Sequence, residues 1–218
     1  MSENDLKQLL YEQFALIGKA VDSPKRIEVL ELLSQGEQSV DALAAATGMG
    51  TTNTSAHLQV LRQARLVETR KQGTKVYYRL ADDLVARFLI QLRELARARL
   101  AEVESTVRAY LRADGGLEQV TREQLLDRAL RGDVLIIDVR PAGEYEAGHI
   151  PGALSVPLET LSEAASSLPA SAKMVAYCRG PYCVLSPKAV RWLRDHGFDA
   201  VQLEDGFPEW RLAGLPVA

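Results

Sequence analysis

Cysteine and histidine are scarce in this sequence, two and three residues among 218. Two cysteines cannot build a disulfide framework, so the expected setting is reducing and cytoplasmic. The same scarcity leaves little material for a zinc site, and neither a metal nor another cofactor is expected. No apolar run approaches the roughly 18 residues of a membrane span, so no membrane partner is expected either. The start, Met1 to Asp5, is polar and acidic and lacks the basic opening of a signal peptide. With 47% hydrophobic and 25% charged residues, the composition is that of a globular chain. Its length suits one large domain or two small ones.

A strong excess of one charge is also missing, but the net −3 hides a split. Residues 1–112 carry +2 and residues 113–218 carry −5. Within 62–79, Arg62, Arg65, Arg70, Lys71, Lys75 and Arg79 face Glu68 alone. Local positive charge on an acidic protein points to a polyanion partner, or else to a solvated face.

The first half has helical periodicity. Leu6, Leu9, Leu10, Phe14 and Ile17 repeat at helical spacing. Ser23-Pro24 supplies a cap and a first-turn proline for a second helix, which Gly36 stops. Ser39 opens a short helix closed by Gly48, and Thr51–Arg65 forms another. Two β-rich runs, 66–70 and 75–80, flank a turn at Lys71–Thr74 and predict a hairpin. A long helix is predicted over Asp82–Arg112, and its surplus length suggests a dimer surface shared with the first helix. Asp114-Gly115-Gly116 marks the joint. Domains of 1–113 and 120–218, with a 114–119 linker, are expected.

The second half changes pattern. Val134–Val139, Met174–Tyr177 and Ala200–Leu203 are apolar runs suited to buried parallel strands. The predicted helices Arg122–Leu130 and Lys188–His196 alternate with them, which argues a three-layer α/β fold with a parallel sheet.

Two short helices before a basic hairpin outline a mainly α, winged helix-turn-helix domain. Thr51, Thr52, Asn53, Ser55 and His57 open the reading helix with short polar groups that suit a major groove. Arg70, Lys71 and Lys75 on the wing supply salt-dependent contacts to phosphates. The stretch "HLQVLRQARLVETRKQGTKVYYRL", preceded by "RIEVLELLSQGEQSVDALAAATGM", resembles the ArsR/SmtB family of bacterial repressors over about residues 6–112. The resemblance implies a homodimer joined by its first and last helices, an operator of double-stranded DNA with two-fold symmetry, and repression relieved by a signal. Metal sensing is not implied here. Metal-sensing members carry Cys-Val-Cys where this chain reads Ser39-Val40-Asp41, and soft metals need thiolates.

In the second half Cys178 directly follows a predicted strand, and Arg179-Gly180-Pro181-Tyr182-Cys183-Val184 leads into a helix opened by Ser186-Pro187. Loop N–H groups, the helix dipole and the Arg179 charge would all favour a thiolate at Cys178. Simple packing of a buried cysteine is the other reading. "DVRPAGEYEAGHIPGALSVP", "YCRGPYC" and "LEDGFPEWRLAGLPV" together resemble a single rhodanese domain from about Val120 to Ala218. The resemblance implies a persulfide on Cys178, fed by a small sulfur donor such as thiosulfate, polysulfide or persulfide. It also implies that Asp138 and Arg140 form a strand-end pair supporting the active loop. Glu144 and His149 match a structural segment and are assigned no chemistry.

The loop departs from the family in two ways. It is about two residues longer than short rhodanese loops and no arginine closes it, which argues against phosphatase or arsenate chemistry. Cys183 lies five residues after Cys178, so the sulfurs could meet, and a Cys178 persulfide could resolve to a disulfide. Alternatively Cys183 points into the core. The expected function is a repressor whose rhodanese domain senses sulfane sulfur or redox state. The long helix and the Gly115-Gly116 joint are the candidate coupling elements. Two further readings stay open: a sulfurtransferase with a self-regulating DNA-binding domain, and a rhodanese fold used only for binding.

Overall fold

The computed structural model describes residues 2–110 and 117–218. Packing divides the chain into two units, Met1–Leu89 and Ile90–Ala218, and the division falls within one helix.

The first unit opens with helix α1 (Glu3–Val21), whose start is fixed by a reciprocal cap. The Ser2 hydroxyl accepts the Asp5 N–H at 3.2 Å, and the Asp5 carboxylate accepts the Ser2 N–H at 2.8 Å. Only Ala20 of α1 is buried, while Leu6, Leu9, Leu10, Tyr11, Phe14 and Leu16 are exposed. Helix α2 (Pro24–Leu33), strand β1 (Gln38–Ser39), helix α3 (Val40–Thr47) and helix α4 (Thr51–Gln63) follow. The Ser39 hydroxyl caps α3, and Gly48 ends it in the left-handed region that an L side chain enters only with strain.

Strands β2 (Val67–Gln72) and β3 (Lys75–Leu80) form an antiparallel hairpin, and β1 adds to β3. The turn is tighter than the sequence predicts. Gly73 takes a positive φ, so pairing continues out to Gln72 opposite Lys75, and Lys71 belongs to a strand. The core joins Val29, Leu30, Leu33, Leu43, Leu58, Leu61, Tyr78, Val85 and Leu89.

The predicted long helix is two helices, α5 (Asp83–Arg99) and α6 (Ala101–Tyr110), broken at Leu100. Leu100 still donates to the Ala96 carbonyl four residues back, but Val103 donates only three back, to Leu100. Neither proline nor glycine marks the break in the sequence. The expected helix end at Leu111-Arg112 and the joint at Asp114–Gly116 lie outside the described residues.

The rest of the second unit is a five-stranded sheet with helices on both faces. Its elements are β4 (Gln119–Val120), α7 (Arg122–Arg131), β5 (Leu135–Asp138), α8 (Ala142–Glu146) and β6 (Leu154–Ser155). Short helix α9 (Leu161–Ala164), β7 (Lys173–Tyr177), α10 (Leu185–Asp195), β8 (Asp199–Leu203) and α11 (Phe207–Leu212) complete it. All pairs are parallel, in the order β4-β8-β7-β5-β6. The short edge strands β4 and β6 carry too few residues to show a sequence pattern. Alternation on β7 sends Met174 and Ala176 to the layer of α10, and Cys178 continues that face. Val175 and Tyr177 turn to the opposite layer, with Leu125, Phe207 and Trp210.

The parallel register sets Asp138 beside Tyr177 at the carboxyl ends of β5 and β7. There the Asp138 carboxylate accepts the Tyr177 hydroxyl at 2.6 Å and the Arg140 guanidinium at 2.6–3.1 Å. Arg140 and Asp138 are fully buried, and Arg140 also donates to the Gly148 carbonyl at 2.8 Å. The Phe207 ring lies 4.4 Å from the guanidinium carbon. Burial and the adjacent carboxylate push the Tyr177 phenol well above its ordinary range. The Tyr177 oxygen in turn accepts the Ile150 N–H at 3.1 Å. These contacts fix the strand ends from which the Cys178 loop departs.

Breaking a buried pair leaves a charge without its counter-ion. Arg140→Met is expected to cost about 3–5 kcal/mol. Tyr177→Phe strands only the Ile150 N–H and one carboxylate lone pair and is expected to cost about 1–3 kcal/mol. Urea unfolding checks the order, and equal small losses would show that the pair does not hold the strand ends.

Candidate functional site

The hairpin and α4 form one candidate surface. Thr51, Thr52 and Asn53 lie exposed on the first turn of α4, and Ser55 and His57 are half-buried one turn on. Gly50 at the N-cap makes no side-chain hydrogen bond, so this helix start offers its N–H groups to an anion. Lys71 and Lys75 are exposed on the two strands, and Arg62 and Arg65 are exposed at the end of α4. Arg65 takes a positive φ there, where the chain leaves the helix for β2.

Arg70 is placed differently from the sequence expectation. Its guanidinium grips the Glu37 carboxylate through Nε, at 3.1 Å to each oxygen, and through Nη2. It also lies over the Tyr77 ring, 5.1 Å from its centre. The pairing holds the Glu37 carboxyl below its usual range. Arg79 is similarly engaged by Glu68 at 2.7 Å. Two of the six basic residues counted in 62–79 are therefore paired, one of them with Glu37, which is remote in sequence and lay outside that count.

The second candidate surface is the loop 178–184 between β7 and α10. Cys178 is 1% exposed, and Cys183 is partly exposed. The Cys178 sulfur lies 3.9 Å from the Cys183 carbonyl oxygen, so the two cysteines are neighbours within the loop. The Cys183 side chain also packs against the core cluster that contains Cys178. The turn is closed by the Cys183 N–H, which donates to the Gly180 carbonyl at 3.1 Å.

Donors that favour a thiolate reach both sulfurs: the Gly180 backbone and the Ser186 hydroxyl act on Cys178, and the Leu185 and Arg179 backbone act on Cys183. The Cys183 thiol is lowered to about 6, first by the neighbouring Cys178 thiol and then by the Leu185 and Arg179 backbone and the Arg179 charge. Leu185 is the first residue of α10, so its N–H has no partner within the helix. Burial pushes Cys178 the other way, well above the ordinary thiol range, and the neighbouring Cys183 sulfur adds to this.

Around the thiols, Arg179 is held by Glu144, whose oxygens both lie 3.0 Å from its Nε. Glu144 is itself buried at the first turn of α8. A residue expected to be structural thus anchors the loop's positive charge. His149 accepts no such place. Its ring stacks on Tyr145 at 3.7 Å, and its Nδ1 lies 3.0 Å from the Tyr145 carbonyl. Asp138 and Arg140 contribute the buried pair below the loop described above. Tyr182 is half-buried and Val184, the N-cap of α10, is exposed.

Two residues near the thiols were not singled out by sequence reasoning. Helix α10 begins at Leu185, so Ser186 lies inside the first turn and is not a cap. Its Oγ lies 3.1 Å from the Cys178 Sγ, and the side chain is buried. Pro187 is tolerated there because first-turn N–H groups have no helical partner. Gly206 packs against the loop so closely that a Cβ would come within 2.2 Å of the Gly180 nitrogen. The next residue, Phe207, donates its N–H to the Cys178 carbonyl at 3.1 Å. The glycine at "EDGFPEW" was the available signal.

Known proteins divide in the same way. The rhodanese-like domain family matches residues 121–213, and the family described as bacterial regulatory protein, arsR family, matches residues 23–69. The HTH-type transcriptional regulator Rv0324 of Mycobacterium tuberculosis is 45% identical over 215 residues, 99% of this chain and 94% of that protein. The HTH-type transcriptional regulator KmtR of the same organism is 34% identical over 114 residues, 52% of this chain and 82% of its own length. Among solved structures, the homodimeric winged helix-turn-helix DNA-binding domain of Mb0332 from Mycobacterium bovis is 43% identical. It covers 46% of this chain and 93% of that one, with a TM-score of 0.43.

A thiol lowered to about 6 is mostly thiolate at neutral pH and loses that form as pH falls through 6. Alkylation by iodoacetamide is therefore expected to rise with pH to a plateau near pH 7, with its midpoint near 6. Cys183→Ser should remove this phase. A midpoint above 8 would mean that the Leu185 and Arg179 donors do not act on the sulfur.

Proposed function

This chain belongs to the ArsR family of bacterial transcriptional regulators and carries a C-terminal rhodanese-like domain, and on that premise we propose that it is a repressor released from DNA by sulfane sulfur. The observation that carries this reading is the convergence of the two cysteines of the chain in one loop. A pair so placed can take up one sulfur atom and then close as a disulfide, which converts a chemical signal into a change of loop covalency. The signal class is a small persulfide, polysulfide or thiosulfate. Cys178, Cys183 and Arg179 act at the sulfur. Asp138 and Arg140 act from beneath, by fixing the strand ends.

On the DNA side, α4 reads the operator through Thr51, Thr52, Asn53, Ser55 and His57. Lys71 and Lys75 hold phosphates, while Arg70 can contribute only by leaving Glu37. The working unit is a homodimer, matched to two-fold operator symmetry. The exposed apolar residues of α1, from Leu6 to Leu16, together with Leu84, Leu95 and Leu100, support it, since such surface is costly to leave in water. Among the described residues no helix is long and apolar enough to cross a membrane.

Fluorescence anisotropy with DNA from upstream of the chain's own gene tests the proposal. Polysulfide is expected to weaken binding of the parent by about tenfold or more, a coupling of ~1.4 kcal/mol. Cys178→Ser should bind DNA equally well and show no response. Unchanged affinity in a protein that has taken up sulfur would instead favour a sulfurtransferase carrying a separate regulator. A second measurement addresses the wing. Each phosphate contact contributes about 0.9 to the slope of log affinity against log salt. Replacing both Lys71 and Lys75 by Ala removes two contacts per protomer and four per homodimer, and should lower that slope by roughly 3–4. Arg70→Ala should change it by less than either lysine.

A further inference from the structure

We propose that the ion pair between Arg93 and Glu209 carries the state of the Cys178 loop to helix α5. The proposal rests on the sulfane-sulfur reading above and names the route by which the signal leaves the site. Helix α5 starts in the core of the first unit, where Val85 and Leu89 are buried. Arg93 follows Leu89 by four residues, so it lies on the same helix face one turn on. It already belongs to the second unit. There its Nη2 donates to one oxygen of the Glu209 carboxylate. The two side chains keep only 19% and 8% of their surface in solvent, so this is not one of the exposed pairs that carry little energy.

Glu209 is held from the loop side as well. It sits in the first turn of α11, and its other oxygen accepts the Gly206 N–H at 3.1 Å. Gly206 packs directly on the Arg179–Gly180 peptide, and the Phe207 N–H binds the Cys178 carbonyl at 3.1 Å. Gly180 also faces the pair itself. A Cβ on Gly180 would lie 3.3 Å from Arg93 Nη1 and 3.7 and 3.8 Å from the Glu209 oxygens. One ion pair thus touches α5, the start of α11 and the cysteine loop.

Sulfur uptake acts on this arrangement through Gly180. The Cys178 sulfur is buried, with the Ser186 hydroxyl at 3.1 Å and the Gly180 carbonyl at 3.8 Å. An atom added to that sulfur enters a packed interior, and the glycine of the turn is what gives way. Gly180 cannot move toward the pair without moving Arg93, and the shift is passed to α5. Parting the pair instead would leave the Glu209 carboxylate buried without its counter-ion, which is costly. Coupling between distant sites needs one element that both of them bias, and α5 is that element. The route bypasses the Gly115-Gly116 joint, since it runs through side chains rather than along the chain. Arg93 is a positioning residue and does not touch the sulfur donor.

Two readouts on full-length variants test the route: DNA affinity with and without polysulfide, and sulfur uptake by intact mass. The parent is expected to lose about tenfold in affinity on loading. Arg93→Gln should take up sulfur to the parental extent and lose less than about twofold. Arg93→Gln combined with Glu209→Gln leaves no buried charge unpaired and keeps an oxygen for the Gly206 N–H. It should respond as weakly as the single variant, and it stands in if the single variant fails to fold. A flexible insert of about four Gly and Ser residues between Gly115 and Gly116 should leave the response intact. A parental response in the doubly substituted chain, or loss of the response on lengthening the joint, overturns the route and leaves the sensing reading in place. Loss of sulfur uptake in the glutamine variants would assign Arg93 to the sulfur chemistry and overturn its coupling role. No response in the parent overturns the sensing reading and the route with it.

Discussion

The turn from β7 into α10 is the constraint on which the thiol site depends. The strand is buried on both faces up to Tyr177, and the helix must start by Leu185 to bury Ala189, Val190 and Leu193 against the same sheet. Residues 178–184 therefore make the reversal at the carboxyl edge of a parallel sheet, where helix-start N–H groups are left without helical partners. Cys183 meets those donors because it sits just before the N-cap. Cys178 still belongs, by alternation, to the core face of the strand, and the Ser186 hydroxyl of the first turn lies 3.1 Å from its sulfur. The difference between the thiols follows from where each falls on one path of backbone.

Three neighbours keep that path in place. Glu144 holds Arg179 from one side, and the Phe207 N–H holds the Cys178 carbonyl from another. Gly206 allows the approach, since any side chain there would strike the Gly180 backbone. Below them, Asp138, Arg140 and Tyr177 tie β5 to β7, and Tyr177 reaches Asp138 because the parallel register makes them neighbours. The strong buried pair thus acts at the strand ends and leaves the loop to the sulfurs.

Much of this was legible in the sequence, and what was not has physical reasons. Buried parallel strands announce themselves as apolar runs, so β5, β7 and β8 were found, whereas the two-residue edge strands carry no periodicity. Capping residues gave the start of α3 at Ser39. The same rule misread Ser186, because a serine before a proline looks like a cap, and only the fold shows its hydroxyl turned toward a sulfur. The charge count over 62–79 missed Glu37, which reaches Arg70 through the pairing of β1 with β3 and β3 with β2. Long-range partners of this kind are set by sheet order, which no local window contains. The burial of the Cys178 sulfur was hidden for the same reason. Loop N–H groups and the Arg179 charge pointed to Cys178 as the activated group, and the burial of that sulfur, which opposes them, is set by the fold.

The same loop geometry argues for soft sulfur chemistry over oxyanion chemistry. Clamping a tetrahedral oxyanion takes a ring of N–H donors and a bidentate arginine aimed into it. Here Pro181 supplies no N–H, and the Arg179 guanidinium is already bound to Glu144. A loop arranged in this way has little left to offer a phosphate or arsenate. It retains two cysteines in one turn, Cys183 partly exposed and Cys178 buried, a pairing suited to sulfur transfer followed by disulfide closure.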